Sequence, residues 1–248
     1  MRLTGKTAII TGGASGFGAG IARAFTAQGA RVMVADINGS AAREMADQLG
    51  DHALACTVDV SDSASVADMA QRAQSAWDHV DILVNNAGIT HLPSALEDVS
   101  EEDFDRVLAV NVKSVYLTAR AFVPMMKRQG AGAILNIAST AGVSPRPRLN
   151  WYNASKGWMI TATKTMAVEL APDGIRVNAL NPVAGETPLL KSFLGEDTPE
   201  MRAKFLSTIP IGRFSTPQDM GAAALFLCSD EASMVTGVAL EVDGGRCI

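Results

Sequence analysis

Tyr152 and Lys156 are four residues apart, and Ser139 lies thirteen residues before the tyrosine. On a helix, a spacing of four puts both side chains on one face. A free phenol ionises near pH ~10, too high for a good base at neutral pH. A neighbouring ammonium favours the phenolate, as does the positive ring of an oxidised nicotinamide. Lowering the phenol pKa by about 3 corresponds to roughly 4 kcal/mol, within the reach of buried charge coupling. A serine hydroxyl can donate to a substrate oxygen and hold it near the phenol. The chemistry that suits such a set is proton transfer coupled to hydride transfer at an alcohol or carbonyl. Surface helices contain many Y-x-x-x-K spacings, so the reading rests on what accompanies this one.

The partner feature is the turn Thr11-Gly12-Gly13-Ala14-Ser15-Gly16-Phe17-Gly18. It joins an apolar run to a helical pattern. Gly12 permits a tight exit from the strand, while Gly16 and Gly18 allow a pyrophosphate to approach and the helix to pack on the sheet. The helix N-terminus adds free N–H groups and partial positive charge. Taken alone, the glycines also suit a flexible turn with no ligand. Asp36 ends the next strand, where a carboxylate can accept both adenosine ribose hydroxyls and repel a 2′-phosphate. Ser15 in the turn and Ile37 after Asp36 offer no cation to such a phosphate, so NAD is expected over NADP. Asp59-Val60 is placed to meet the adenine, and Asn86-Ala87-Gly88 closes the fourth strand with small residues that admit a cofactor.

Strand and helix patterns alternate along the chain. Strands are expected at 7–11, 31–36, 53–58, 81–85, 133–137, 176–180 and 238–242. Helices are expected at 17–28, 41–49, from a Ser61 cap onward, from Ser100 toward Gln129, at 151–170, and after Thr216-Pro217. The strands are apolar throughout rather than alternating, which predicts a parallel sheet covered on both faces. Residues 1–248 read as a single doubly wound α/β domain. Residues 184–211, rich in Pro, Thr, Gly and Glu, read as a lid or substrate loop.

Composition narrows the classes. Of 248 residues, 48% are hydrophobic and 19% charged, which supports a packed core and argues against disorder. The net charge of −5, with no basic run, gives no support to nucleic-acid binding. No apolar run is long enough for a membrane span, and the first residues do not resemble a signal peptide. Three cysteines without C-x-x-C spacing suggest a reducing cytoplasm, and three histidines that do not cluster with them give no metal site. Asn111, after Val110, is placed to hold a water near Lys156 and link the site to solvent.

With its TGGASGFG, NNAG, Asn111, Ser139 and YNASK motifs, essentially the whole chain resembles the short-chain dehydrogenase/reductase family, in its branch of about 250 residues. The resemblance implies a Rossmann-type seven-stranded sheet, an NAD(P) mechanism and commonly a homotetramer. It implies Tyr152 as acid/base, Ser139 as the group that orients substrate, Lys156 on the nicotinamide ribose, and Asn111 in a proton relay. Pro182 and Thr187 match positions beside the nicotinamide. One segment, Asn181-Pro182-Val183-Ala184-Gly185-Glu186-Thr187, departs from the family pattern. Val183 replaces the usual glycine, and Gly185 stands where a β-branched residue is common. Other stretches are similar to bacterial relatives acting on aromatic alcohols or aldehydes, or on sugars. Many relatives are 3-oxoacyl-carrier-protein reductases, which usually prefer NADP.

The expected activity is therefore an NAD-dependent alcohol/ketone oxidoreductase. A 3-oxoacyl reductase and a dinucleotide sensor without turnover are the alternatives, and the intact Ser139/Tyr152/Lys156 set argues against the sensor. Arg146 and Arg148 flank Pro147 between Ser139 and Tyr152. Either could pair with a substrate carboxylate or sulfonate, or serve a solvated loop or subunit contact. His91, Trp151 and Glu186 are further candidates for the substrate pocket, and Arg246-Cys247-Ile248 for a neighbouring subunit.

Overall fold

The computed structural model describes residues Met1–Ile248. Its strands are β1 (Thr7–Thr11), β2 (Arg31–Asp36), β3 (Ala53–Thr57), β4 (Ile82–Asn85), β5 (Gly132–Ile137), β6 (Ile175–Pro182) and β7 (Ala239–Val242). Its helices are α1 (Gly16–Ala27), α2 (Gly39–Leu49), α3 (Ser63–Ala76), α4 (Glu101–Leu108), α5 (Ser114–Gln129), α6 (Asn150–Leu170), α7 (Leu190–Leu194), α8 (Pro199–Leu206) and α9 (Pro217–Cys228). The strands form one sheet in the order β3-β2-β1-β4-β5-β6-β7, every neighbouring pair parallel. The chain changes direction across the sheet between β1 and β4, and a crevice opens at the carboxyl edge of such a switch point.

The apolar strands are explained by two covered faces. Ala8 and Ile10 of β1 join one core with Ile21 and Phe25 of α1 and Met220 of α9. Ile9 between them points the other way, into a core with Met69 of α3, Phe122 of α5 and Leu170 of α6. Alternate residues therefore enter opposite cores, and neither face can be polar. A smaller cluster, Val183, Leu190, Leu194, Phe205, Ile209 and Phe214, is built largely from residues 184–211, which carry α7 and α8. No helix is long and apolar enough to cross a membrane.

Two expectations need correction. Helix α3 is capped by Asp62, whose carboxylate accepts the Ser65 N–H, while Ser61 instead donates its hydroxyl to Asp59. An aspartate one residue later offers the stronger acceptor to the open helix end. The helix from Ser100 to Gln129 is not continuous, because Ala109–Lys113 forms a π-helical turn between α4 and α5. The extra residue in that turn carries Asn111 fully inside, where its amide bonds Ile89 and Ser155. The Ser100 cap and the Thr216–Asp219 capping box with Pro217 at the first position form as expected.

A buried polar ladder fixes α6 against the sheet. Thr118 of α5 donates to Asn85 of β4, Asn85 to Asn136 of β5, and Asn136 to Thr163 of α6, at 2.8, 2.9 and 2.9 Å. All four side chains are buried. Removing one link leaves its partners desolvated and unpaired. Asn136→Leu should therefore destabilise the protein by about 2–4 kcal/mol, read from urea unfolding at constant m. It should also lower turnover, because α6 carries Tyr152. A loss under about 0.5 kcal/mol would show that the ladder does not hold α6.

Candidate active site

Helix α6 begins just after a strap that leaves β5 through Ser139, so Ser139 and Tyr152 meet at the sheet's carboxyl edge. Both line a cleft of about 450 Å³ together with Lys156. Tyr152 and Lys156 are each only 4% exposed. The Lys156 Nζ donates to the Ile137 carbonyl at 2.8 Å and lies 5.9 Å from the Tyr152 ring centroid. Phe193 packs edge-on against the tyrosine ring at 5.0 Å.

Without a nicotinamide, burial dominates the ionisation of both groups. Burial pushes the Tyr152 phenol up to about 12, and the Ser139 hydroxyl beside it works in the other direction. Burial also brings the Lys156 ammonium down to about 8. Each group is taken out of water, and desolvation penalises the charged form of both. The lysine's hydrogen bond goes to a backbone carbonyl, not to the phenol. From the protein's own groups alone, Tyr152 is an acid holding its proton.

Asn111 does not line the cleft. Its Oδ1 accepts the Ile89 N–H at 2.9 Å, and its Nδ2 donates to the Ile89 carbonyl and to Ser155 Oγ at 2.9 and 3.0 Å. The side-chain amide is thus committed to holding the loop after β4 against α6. Gly88 sits over it: a methyl group there would lie 3.3 Å from Lys156 Nζ and 3.4 Å from Asn111 Oδ1.

At the other end, the turn between β1 and α1 borders the same cleft through Gly12, Ser15, Gly16 and Phe17. Gly12 has φ +61°, a conformation that favours glycine, and a methyl group on it would meet Ala87 Cα at 2.9 Å. Asn86 stitches this turn to β4, its Nδ2 donating to the Thr11 and Gly12 carbonyls, both at 2.9 Å. Gly18 does not line the cleft; its Cα faces the Gly12 carbonyl, where a methyl group would lie 2.1 Å away. Asp36 accepts the Ala14 and Asn38 N–H groups and borders the cleft beside Ile37, Asp59 and Val60. Ala87, Gly88, Pro182 and Thr187 complete the wall between the two ends.

The charges in this wall are sorted. Its acids are Asp36 and Asp59, and its cations are Lys156, Arg146 and Arg246. A helix N-terminus, a carboxylate at the end of β2 and close-packed backbone together suit a dinucleotide laid from Asp36 toward Tyr152. Asp36 and Asp59 would face its adenosine, Ser15 and Gly16 its pyrophosphate, and Lys156 and Thr187 its nicotinamide end.

Val183 and Gly185, the departures from the family pattern, have a joint explanation. Val183 is buried in the cluster formed with α7 and α8. Gly185 lies against the Phe17 ring, where a methyl group would be 2.3 Å from Cζ and 2.8 Å from the Ser215 carbonyl. The phenyl ring occupies the space a β-branched side chain would fill.

Of the five substrate candidates only Arg146 lines the cleft. Arg148, at φ 68°, points a guanidinium nitrogen at the Pro93 carbonyl. Trp151 packs edge-on against Phe104 and donates to the Leu96 carbonyl. His91 is 2% exposed and pairs through Nδ1 with the Leu92 carbonyl. Glu186 lies in an adjoining depression with Lys191, Asp197 and Arg202, which shares Thr187 and Pro188 with the cleft. Their positions follow from local packing that spacing does not encode. Sequence reasoning missed Leu149, Phe193, Phe205 and Arg246 as lining residues. Only the reading of 184–211 as a substrate loop hinted at the phenylalanines, and nothing placed Arg246 there.

Residues 12–246 match a family model described as enoyl-(acyl carrier protein) reductase. The chain is 49% identical over 252 residues to the 4-formylbenzenesulfonate dehydrogenase TsaC1/TsaC2 of Comamonas testosteroni, covering all of both chains. It is 39% identical to a D-threitol dehydrogenase of Mycolicibacterium smegmatis, covering 100% of this chain and 95% of that one. Among solved structures it is similar to a 3-ketoacyl-(acyl-carrier-protein) reductase from Brucella melitensis complexed with NADH. The identity is 52%, the TM-score 0.95, and coverage is 99% of this chain and 100% of that one.

The contact between Gly185 and Phe17 gives a direct test of the departing loop. Gly185→Val alone should cost about 1–3 kcal/mol through overpacking. Phe17→Ala should recover at least half of that cost in a double-mutant cycle read by thermal unfolding. Simple additivity of the two changes would show that the ring does not fill the β-branched space.

Proposed function

The chain belongs to the short-chain dehydrogenase/reductase family, and from that membership we propose that it is an NAD-dependent oxidoreductase acting on a secondary alcohol or ketone, or on an aromatic or sugar alcohol or aldehyde. The observation that carries this reading is the single cleft with Asp36 and the glycine turn at one end and Ser139, Tyr152 and Lys156 at the other. A bound nicotinamide supplies or accepts the hydride and, when oxidised, brings a positive charge to the site. The residues do the rest. The Ser139 hydroxyl donates to the substrate oxygen and holds it beside Tyr152. Tyr152 gives its proton to that oxygen in reduction and takes one in oxidation. Lys156, fixed by the Ile137 carbonyl, adds positive charge near the phenol and the nicotinamide ribose. Asn111 acts as a positioning residue for Ile89 and Ser155 and for the proton path beyond Lys156.

Asp36 supports NAD over NADP, because a carboxylate repels a 2′-phosphate and neither Ser15 nor Ile37 offers a cation. Residues 184–211 act as a lid over the reacting end, to which Phe193 and Phe205 contribute. Tyr116, Trp158, Val168 and Phe226 are exposed on α5, α6 and α9, which supports association into a homotetramer. Three cysteines without C-x-x-C spacing support a cytoplasmic setting. The Brucella neighbour's name favours a second reading, a 3-oxoacyl-carrier-protein reductase.

A panel of aromatic, sugar and secondary alcohols with NAD+, and acetoacetyl thioesters with NADH or NADPH, separates these readings by nicotinamide absorbance. Tyr152→Phe should lower kcat by roughly 10²–10⁴-fold while leaving NADH binding intact. Asp36→Ala should raise KM for NAD+ about tenfold and narrow the preference over NADP+. Thioester turnover favoured with NADPH would assign the acyl reductase. Dinucleotide binding without any turnover would assign a sensor.

A further inference from the structure

Two arginines distant in sequence meet at the reacting end of the cleft. Arg146 lies in the strap between Ser139 and Tyr152, its carbonyl held by Asn153 Nδ2 at 2.7 Å. Arg246 comes from the C-terminal segment after β7. Both guanidinium carbons lie over the same Phe205 ring, at 4.6 and 5.5 Å from its centroid. Both line the cleft and both are half-buried.

Of the arginines, these two alone line the cleft. Arg2, Arg106, Arg202 and Arg213 each pair with a carboxylate. Arg176 donates to three backbone carbonyls. The Arg146 and Arg246 guanidiniums have no ion pair, and the cleft's two carboxylates, Asp36 at the end of β2 and Asp59 after β3, lie at the opposite end. Burial and the neighbouring Arg246 charge hold the Arg146 pKa below its ordinary value. Two like charges on one aromatic ring repel, and a bound anion would relieve that repulsion. An arginine fork matches a carboxylate or sulfonate in geometry as well as charge. The approach from the reacting group is apolar: Phe193 packs on Tyr152, and Leu149 and Phe205 line the space beyond.

We propose that Arg146 and Arg246 form an anion-accepting subsite that selects substrates carrying a carboxylate or sulfonate on an aromatic or similarly apolar frame, with the reacting carbon at the Tyr152 end. The proposal rests on the oxidoreductase reading above. It assigns the anion recognition to this pair and not to Arg148, whose guanidinium turns away toward Pro93.

The test compares 4-(hydroxymethyl)benzoate with the neutral 4-methylbenzyl alcohol, both with NAD+. The wild-type protein should favour the benzoate by about tenfold or more in kcat/KM. Arg146→Gln and Arg246→Gln should each raise KM for the benzoate about tenfold with little change in kcat. The neutral alcohol and KM for NAD+ should be unaffected. Lysine at either position, which keeps the charge but loses the fork, should give a smaller rise and serves where a glutamine variant does not fold. Equal changes for both alcohols, or a rise confined to NAD+, would overturn the proposal. Absence of turnover with both alcohols would count against the oxidoreductase reading for this class. The subsite is then judged by calorimetric binding of 4-methylbenzoate to the protein with NADH. Binding that Arg246→Gln abolishes supports it, and no binding to the wild type overturns it.

Discussion

Two ionisable side chains on one helix are held out of water at the end of a parallel sheet, and neither has a counter-ion. Lys156 has only the Ile137 carbonyl, and Tyr152 has the Ser139 hydroxyl and the Phe193 ring. Desolvation therefore drives the phenol pKa up and the ammonium pKa down, each toward its neutral form. Holding such groups in place requires a rigid frame. The Asn85–Asn136 ladder ties α6 to the sheet, the π turn lets Asn111 clamp Ile89 to Ser155, and Gly88 leaves room above the lysine. A site in which both groups are uncomfortable when charged responds strongly to any charge that enters it.

The cleft is also polarised along its length. Carboxylates stand where β2 and β3 end, and cations stand around Tyr152 and Phe205. One end is negative, the glycine turn with its helix N-terminus borders the middle, and the far end is positive. The departure at Val183 and Gly185 fits the same frame: Phe17, at the start of α1, fills the space a β-branched residue at 185 would take.

Local signals in the sequence located most of the frame. The continuous apolar strands announced a parallel sheet, and the caps at Ser100 and Thr216 marked helix starts because a side-chain oxygen near free N–H groups is a short-range interaction. The π turn at Asn111 was not legible, since a one-residue insertion leaves the helical periodicity on either side nearly intact. Tyr152, Lys156, Ser139 and the glycine turn were visible as motifs of fixed spacing. The substrate end was not. Arg246 reaches Phe205 only through the tertiary path of the C-terminal segment, while Arg148, two residues from Arg146, is left-handed and turns to the Pro93 carbonyl. The burial of the tyrosine was also hidden: spacing shows the ammonium nearby, but not the desolvation that pushes the phenol up.

The most direct measurement is the ionisation of Tyr152 itself. The chain has only two tyrosines, so the ultraviolet difference between wild type and Tyr152→Phe isolates this phenol. Without dinucleotide, that difference should remain that of a protonated phenol past pH ~10, in keeping with a value pushed up to about 12. Adding NAD+ should move the transition down by more than about one pH unit, and log kcat/KM for alcohol oxidation should rise with pH over the same range because the phenol must first lose its proton. A phenol that already ionises near neutrality in the protein alone, or one that NAD+ leaves unmoved, would contradict a burial-held acid released by the cofactor's charge.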